Sequence, residues 1–353
     1  MKNTRRLLWS TGLGLILGFC FLTTVGGAFA FTRLGLLRSA WPGGSQGRIS
    51  PTAEPETGET DAGVSPLDPL PTAADATCGG PKHMVIALLG VDDRSKPEEG
   101  YTHPTRTDAI MLINVRFDAG RPSASLLSFP RDLYLPLANL ENVHEQDRLN
   151  TAFMYGEIYD VPGGGPAEFK STVELNFGIR VDRYVMVNFG AFVKAVDALG
   201  GIDVDVPDAI YDPDFPDDVG SGSFTLEIPA GLQHMDGKTA LHYARTRHQD
   251  DDYHRVKRQQ LVLLAIRDKL FSPEVIPQIP ALLDSMRDSV QTDLSASEIA
   301  ALLCLGPQID RASIVAHSID GTMVIPWTTP TGGRVSIPNR EVIAPLVEEF
   351  NGE

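Results

Sequence analysis

The chain has 353 residues, 42% of them hydrophobic, 22% charged and 7% aromatic, which allows about two domains, or one large domain with extensions, and a sizeable core. Its formal net charge of −16 excludes a general nucleic-acid-binding protein, whose contact face is basic. At the N-terminus, Lys2, Arg5 and Arg6 precede a largely apolar run from Leu7 to Phe31, broken only by Ser10, Thr11, Thr23 and Thr24. Roughly 20 apolar residues cross a bilayer as a helix. The run exceeds the core of a cleaved signal peptide, roughly 7–15 residues. The reading is a transmembrane anchor over 7–31, with 1–6 in the cytoplasm by the positive-inside rule and the rest outside. Ala28-Phe29-Ala30 resembles a cleavage site, so removal of the segment stays open.

Residues 32–76 are rich in Pro, Gly, Ser, Thr and acids and show no helical or strand period, so they read as a disordered linker. Cys20 falls inside the anchor, and the bulky Phe19 before it argues against lipoprotein processing. The other two cysteines, Cys78 and Cys304, form a candidate disulfide in an oxidising exterior. The alternative is two unrelated thiols, one of them a small buried hydrophobe.

The main domain is expected over 77–353. HMVIALLGVDD reads as a buried strand. DAIMLINVRF and SASLLSFP read as a hairpin around Asp118-Ala119-Gly120. RLNTAFMYG has helical spacing, and PAEFKSTVELNFG is a helix that Gly178 ends. Gly163-Gly164-Gly165 lacks the ending of a phosphate loop and reads as a flexible loop. RYVMVNF is a strand, AFVKAVDALGG a helix closed by Gly200-Gly201, and IDVDV a strand. Phe189, Phe192, Val193 and Val196 read as core by default, the alternative being that any of them lines an apolar ligand cleft. The acidic stretch 207–222 reads as a loop, and SFTLEIPAG as a strand. Asp236 is a plausible N-cap for DGKTALHYAR. From Asp252 to Lys269 a long helix places Arg255, Gln259, Val262 and Ile266 on one face. Helices over 273–287 and 296–304, two late strands and a last helix follow. Strands and helices alternate and hairpins occur, which predicts a central mixed sheet flanked by helices.

The most informative stretch is ALHYARTRHQDDDYHRVKRQQL, residues 240–261. It sets Arg245, Arg247, Arg255, Lys257 and Arg258 around Asp250, Asp251 and Asp252 in an acidic chain. Guanidinium forks suit phosphate oxygens, and carboxylates suit a hard divalent ion. Alone, the stretch reads equally as a salt-bridged surface helix. Three further segments put Arg and Asp at the margins of apolar runs: Asp92-Asp93-Arg94, Arg106-Thr107-Asp108 and Arg131-Asp132. Ligands of open sheets bind at strand ends, where these charges can converge. His83, His103, His144, His234, His242, His248, His254 and His317 lack zinc-like spacing.

LLGVDDR, RTDAIMLINV, LLSFPRDLYLPL, RLNTAFMYG, TVELNFGIRVDRYVMVNFGAFVKAVDALGGIDVDVP and GLQHMDGKTALHYARTRHQDDDYHRVKRQQ, in order over residues 83–270, resemble the LytR–CpsA–Psr family of cell-envelope proteins. The resemblance implies an α/β/α sandwich whose apolar cleft takes a prenyl tail. It implies an extracytoplasmic, membrane-held transferase that moves a glycopolymer from a polyisoprenyl diphosphate carrier to a cell-wall glycan, typically peptidoglycan, by a phosphodiester bond. A polyisoprenyl diphosphate phosphatase and a non-catalytic envelope regulator are the alternatives. Carried over residue by residue, Arg106, Arg131, Arg245, Arg247, Arg255, Arg258 and Gln259 surround the lipid diphosphate, and Arg131, Asp132, Arg245 and Arg247 form the catalytic group. Asp108 and Asp252 ligate Mg2+ or Mn2+. Asp132 either orients Arg131 or acts as a base on the acceptor. The chain departs from the family at His254 and Thr105, where glycine is common.

Overall fold

The axis of the molecule is a strand apolar at almost every position, HMVIALLGV, as expected where helices cover both faces of a sheet. In chain order the elements begin with β1 (His83–Val91), β2 (Thr107–Arg116), β3 (Ser123–Phe129), β4 (Tyr134–Pro136) and β5 (Gln146–Arg148). Next come α1 (Ala152–Ile158), α2 (Gly164–Phe177), β6 (Arg183–Asn188) and α3 (Phe189–Ala198). β7 (Ile202–Val206), β8 (Ile210–Pro216), β9 (Ser223–Ile228) and β10 (Gly231–Met235) lead to α4 (Gly237–Arg245) and α5 (Asp252–Leu270). The chain closes with α6 (Ile279–Met286), β11 (Val290–Thr292), α7 (Ala296–Leu305), β12 (Val315–Ser318), β13 (Val324–Thr328), β14 (Arg334–Pro338) and α8 (Arg340–Asn351).

This computed structural model describes residue 78 and residues 83–92, 105–116, 122–140, 142–217, 222–247, 252–286 and 289–352. The chain divides into residues 1–61 and 62–353, and every described residue belongs to the second unit. The expected anchor and linker, the 118–120 turn, Asp93, Arg94, His103, His248, Asp250 and Asp251 lie outside the described residues. Among the described residues no helix is long and apolar enough to cross a membrane.

The main sheet has the order β11-β6-β1-β2-β3-β12. The β1–β6 and β3–β12 pairs are parallel and the others antiparallel, so the sheet is mixed, as the hairpins predict. Alternate residues of a strand face opposite sides. Val85, Ala87, Leu89 and Val91 face a core shared with Phe169 and Val173 of α2 and Ile343, Val347 and Phe350 of α8. Met84 and Ile86 face the other side, against Leu294 and the Ile299 and Leu302 of α7. A second core gathers Val204, Phe215, Leu226, Tyr243 and Val262 from β7, β8, β9, α4 and α5. Helices on both faces give the expected three-layer arrangement.

Two expectations are corrected. The stretch 207–222 is not all loop: its Ile210–Pro216 segment is β8, paired antiparallel with β9. Prolines and acids disguise it, but the buried Ile210, Asp212 and Phe215 are spaced around a register shift between Asp212 and Phe215, where an edge strand tolerates proline. The glycine run 163–165 is packed rather than flexible. Gly163 has φ 87° ahead of α2, and a Cβ on Gly165 would lie 2.5 Å from the Phe153 ring. Cys78 and Cys304 are bonded, with Cα atoms 5.6 Å apart, which ties residue 78 to α7.

Candidate active site

The directions of the strands collect the charges. β1, β3 and β6 run the same way, and β2 runs against them. Asp92 after β1, Asp108 at the start of β2, Arg131 after β3 and Asn188 at the end of β6 therefore share one edge of the sheet. The register pairs Val91 with Thr107, which brings Asp92 and Asp108 to neighbouring strand ends. α5 covers this edge, and its stripe Arg255, Gln259, Val262 and Ile266 lies along the wall of one cavity, as the helical spacing predicts. α4 ends at Arg245 and delivers Thr246 and Arg247 to the same cavity.

The cavity holds about 390 Å3. Its deep part is apolar, with Leu88, Met111, Val187, Phe192, Leu241 and Leu263 on the walls. Gly90 pairs directly with Ala109, and a Cβ on Gly90 would come within 3.0 Å of the Ala109 Cβ. Phe189 and Phe192 line this space, Phe192 also packing against the second core, in which Val196 is fully buried. The guanidinium of Arg245 rests 4.4 Å from the Phe189 ring centroid and 5.6 Å from that of Phe215, so aromatic faces hold it at the boundary between the two parts.

The charged end is one network. Arg131 Nη1 donates to Asp108 Oδ2 at 2.9 Å, and Asn150 Nδ2 donates to Asp108 Oδ1 at 3.1 Å. Arg255 Nη2 lies 2.9 Å from Asp252 Oδ1 and donates at 3.3 Å to the Asp108 carbonyl. Arg247 Nη1 is 3.7 Å from Asp252 Oδ1. Burial lowers the Arg255 pKa; Asp252 opposes that, while Arg131 and Arg247 push it further down. For Arg131 burial also acts to lower the pKa, but Asp108, Asp132 and Asp252 outweigh it and leave the pKa raised. The Nε atoms of Arg131 and Arg255 are buried and make no hydrogen bond. Guanidiniums clustered on one cavity wall suit an anion with several oxygens.

The wall carries Arg131, Arg245, Arg247, Arg255, Gln259 and Asp108. Arg106, Arg258, Asp132 and Asp252 are not part of that wall, and Gln259 is also engaged behind it. Arg106 is exposed and sits near Tyr155, whose pKa is pushed up to about 12 by burial and by its hydrogen bond to Asp147, with Arg106 opposing. Arg258 is buried, and its Nη2 donates to the carbonyl of Thr246. Gln259 Nε2 donates to the Ala244 carbonyl at 3.4 Å. Both therefore satisfy carbonyls where α4 ends, and so hold the Arg245–Arg247 segment. Asp132 lies between Arg131 Nε at 3.6 Å and Arg148 Nε at 3.1 Å, the position of an orienting group. Asp252 faces Arg255 and Arg247 rather than the cavity.

Sequence reasoning missed Asn150, Arg148 and the fully buried Asp212, which accepts from Thr246 Oγ1 at 2.6 Å. Asn150 sits in RLNTAFMYG, the one signal that could have found it; Asp212 was hidden in the presumed loop. Among the described residues, no group of three or more His, Cys, Asp or Glu could hold a metal. Asp92 and Asp108 both line the cavity, and the two oxygens of Asp108 already accept from Arg131 and Asn150.

The model of the LytR_cpsA_psr family matches residues 71–334. The chain is 31% identical over 244 residues to the polyisoprenyl-teichoic acid–peptidoglycan teichoic acid transferase TagV of Bacillus subtilis, covering 68% of this chain and 57% of that protein. It is 33% identical over 224 residues to the Bacillus subtilis transferase of the same description named TagT, covering 63% of this chain and 64% of that one. The chain thus spans less than two thirds of these relatives. The crystal structure of Bacillus subtilis TagV superposes with a TM-score of 0.60 at 26% identity, over 77% of this chain and 98% of that chain.

Proposed function

The chain belongs to the LytR–CpsA–Psr family, and on that premise we propose that it transfers a glycopolymer from a polyisoprenyl diphosphate carrier to a cell-wall glycan, peptidoglycan being the expected acceptor. The observation that carries this reading is a single cavity whose apolar walls end at Arg131, Arg245, Arg247 and Arg255. That combination matches an amphiphile with a hydrocarbon tail and a polyanionic head. The names of the two Bacillus subtilis transferases support the same substrate class.

In the proposed reaction the prenyl chain lies against Leu88, Met111, Phe192 and Leu263, and the diphosphate meets the arginines. A hydroxyl oxygen of the acceptor bonds to the phosphorus that carries the glycopolymer. The bond from that phosphorus to the bridging oxygen breaks, and polyisoprenyl phosphate leaves with the bond's electron pair and takes up the proton that the hydroxyl loses. Arg131 and Arg255 meet the charge that builds on the departing phosphate, in a site where low solvation strengthens each contact. Arg245 and Arg247 position the transferred phosphoryl group. Asp132 and Arg148 orient Arg131. A Mg2+ or Mn2+ ion would be held by Asp108 and Asp92 with phosphate oxygens, and would supply charge neutralisation on the diphosphate.

The proposed setting is extracytoplasmic, with 7–31 as anchor, 32–76 as linker and 77–353 as the catalytic domain. The Cys78–Cys304 bond supports it, because disulfides persist in oxidising compartments. The deciding assay gives the full chain a prenyl-diphosphate-linked glycan, Mg2+ and a peptidoglycan acceptor. Product on the acceptor supports transfer. Phosphate release alone makes the protein a phosphatase, and retention of intact donor makes it a binder.

A further inference from the structure

Beyond the cavity lies an aromatic surface on the β13–β14 hairpin. The register places Trp327 opposite Val335 and Ile325 opposite Ile337. Val335 is buried, yet Trp327 is 42% and Ile325 57% exposed. Trp327 packs on Tyr134 with ring centroids 5.5 Å apart and planes inclined by 52°, which leaves indole surface open to solvent.

This hairpin is fastened to the segment that carries Arg131. The Ser336 N–H donates to the Asp132 carbonyl at 3.0 Å. Tyr134 stands opposite Arg148 in the β4–β5 pairing. Arg148 Nε lies 3.1 Å from the Asp132 carboxylate, and its Nη2 donates to the Arg334 carbonyl at 3.0 Å. The hairpin that carries Trp327 is therefore fastened to the Arg131-Asp132 segment, whose Arg131 lines the cavity.

Its composition selects the partner. Residues 321–338, GTMVIPWTTPTGGRVSIP, carry a single charge, Arg334, and no carboxylate, in a chain of net charge −16. Thr328, Thr329, Thr331 and Ser336 add hydroxyls. A neutral surface of rings and hydroxyls offers little to an ionic partner. It suits a sugar ring, whose C–H face packs on the electron-rich face of an indole while its hydroxyls and amides find hydroxyl and guanidinium partners.

We propose that Trp327, braced by Tyr134 on the β13–β14 hairpin, is the docking surface for the acceptor glycan, with one amino-sugar ring stacked on the indole and the strand leading toward Arg131. This rests on the transferase reading for the role of the glycan, but its recognition chemistry is separately measurable.

The test uses the full chain, a soluble uncharged N-acetylated amino-sugar oligosaccharide, and the variants Trp327→Tyr and Trp327→Leu. Calorimetric titration is expected to show wild type and Trp327→Tyr binding within about threefold of each other. Trp327→Leu keeps apolar bulk but loses the ring, and is expected to weaken binding about tenfold or more, the scale of an aromatic anchor. Far-UV circular dichroism and the denaturant midpoint should be equal in all three and certify folding. Equal binding by Trp327→Leu, or no saturable binding by wild type, overturns the proposal. Glycan binding that depends on the Trp327 ring in a protein that never turns over the donor upholds the docking surface and removes the transferase reading instead.

Discussion

Arg131 and Asp108 meet at 2.9 Å at the mouth of the cavity, and Asn150 holds the other oxygen of that carboxylate. The aspartate thus aims a half-buried guanidinium before any substrate arrives. Replacing Arg131 with Ala removes one preorganised contact to the developing charge. Turnover of the prenyl diphosphate donor is expected to fall about 10²–10³-fold with the melting temperature little changed. Turnover within threefold of wild type would remove Arg131 from the site.

The arginines off the cavity wall should behave differently. Arg106 is exposed, so Arg106→Ala is expected to change donor turnover no more than about twofold, in line with ordinary surface substitutions. Arg258 is buried against the Thr246 carbonyl. Arg258→Leu should cost about 1.5–3 kcal/mol of stability, the scale of a hydrogen bond from a charged donor. Chemical denaturation and a donor assay on the two variants, run side by side, check both expectations. A fully stable but inactive Arg258→Leu would place that arginine on substrate.

The apolar half should sense tail length. Met111 lies on the wall opposite Leu88 in the strand register. Met111→Trp fills space that a long prenyl chain needs. Displacing about two methylenes predicts a KM roughly tenfold higher for a long-chain donor, with a short-chain prenyl diphosphate unaffected. An equal rise for both donors would mean that the tail binds elsewhere.

Acid should loosen α7. Burial acts to raise the Glu298 pKa, but hydrogen bonds from Arg183 and Ser295 outweigh it and leave it lowered. Arg183 Nη2 sits 2.8 Å from Glu298 Oε1, and Glu298 also completes the capping box with Ser295. With the folded pKa below the unfolded one, this stability is fully present above the ordinary glutamate range. It is lost as pH falls through the lower, folded value. Glu298→Gln should reduce the loss of denaturant midpoint on acidification below about pH 4.5, where unfolded glutamates begin to protonate. An acid profile identical to wild type would rule out this pair as the sensitive group.

The Cys78–Cys304 bond closes a loop with a sequence separation of 226. Chain entropy alone assigns such a loop a stabilisation of about 5 kcal/mol, an upper value because native strain and residual structure subtract from it. Cys304→Ser should lower the denaturant midpoint and abolish its dependence on reductant. A reductant-sensitive midpoint in that variant would locate the sensitivity elsewhere.

Local chemistry made much of this protein legible in its residue order. Continuous apolar runs mark β1 to β3 as buried strands, the spacing of Arg255, Gln259, Val262 and Ile266 marks a helix face, and Asp236 marks a cap, because period and capping act within a few residues. The family motifs mark which arginines and aspartates belong together. What remained hidden depends on contacts between distant segments. The Arg131–Asp108 pair and the placement of Phe189 on the cavity wall arise from strand register and helix packing. Arg106, Arg258, Asp132 and Asp252 look like Arg131 and Asp108 in a motif, yet each is turned to a different neighbour. A motif names a residue's type and its position along an element. Whether that side chain meets substrate, braces a carbonyl or orients another charge is settled by the surfaces packed around it.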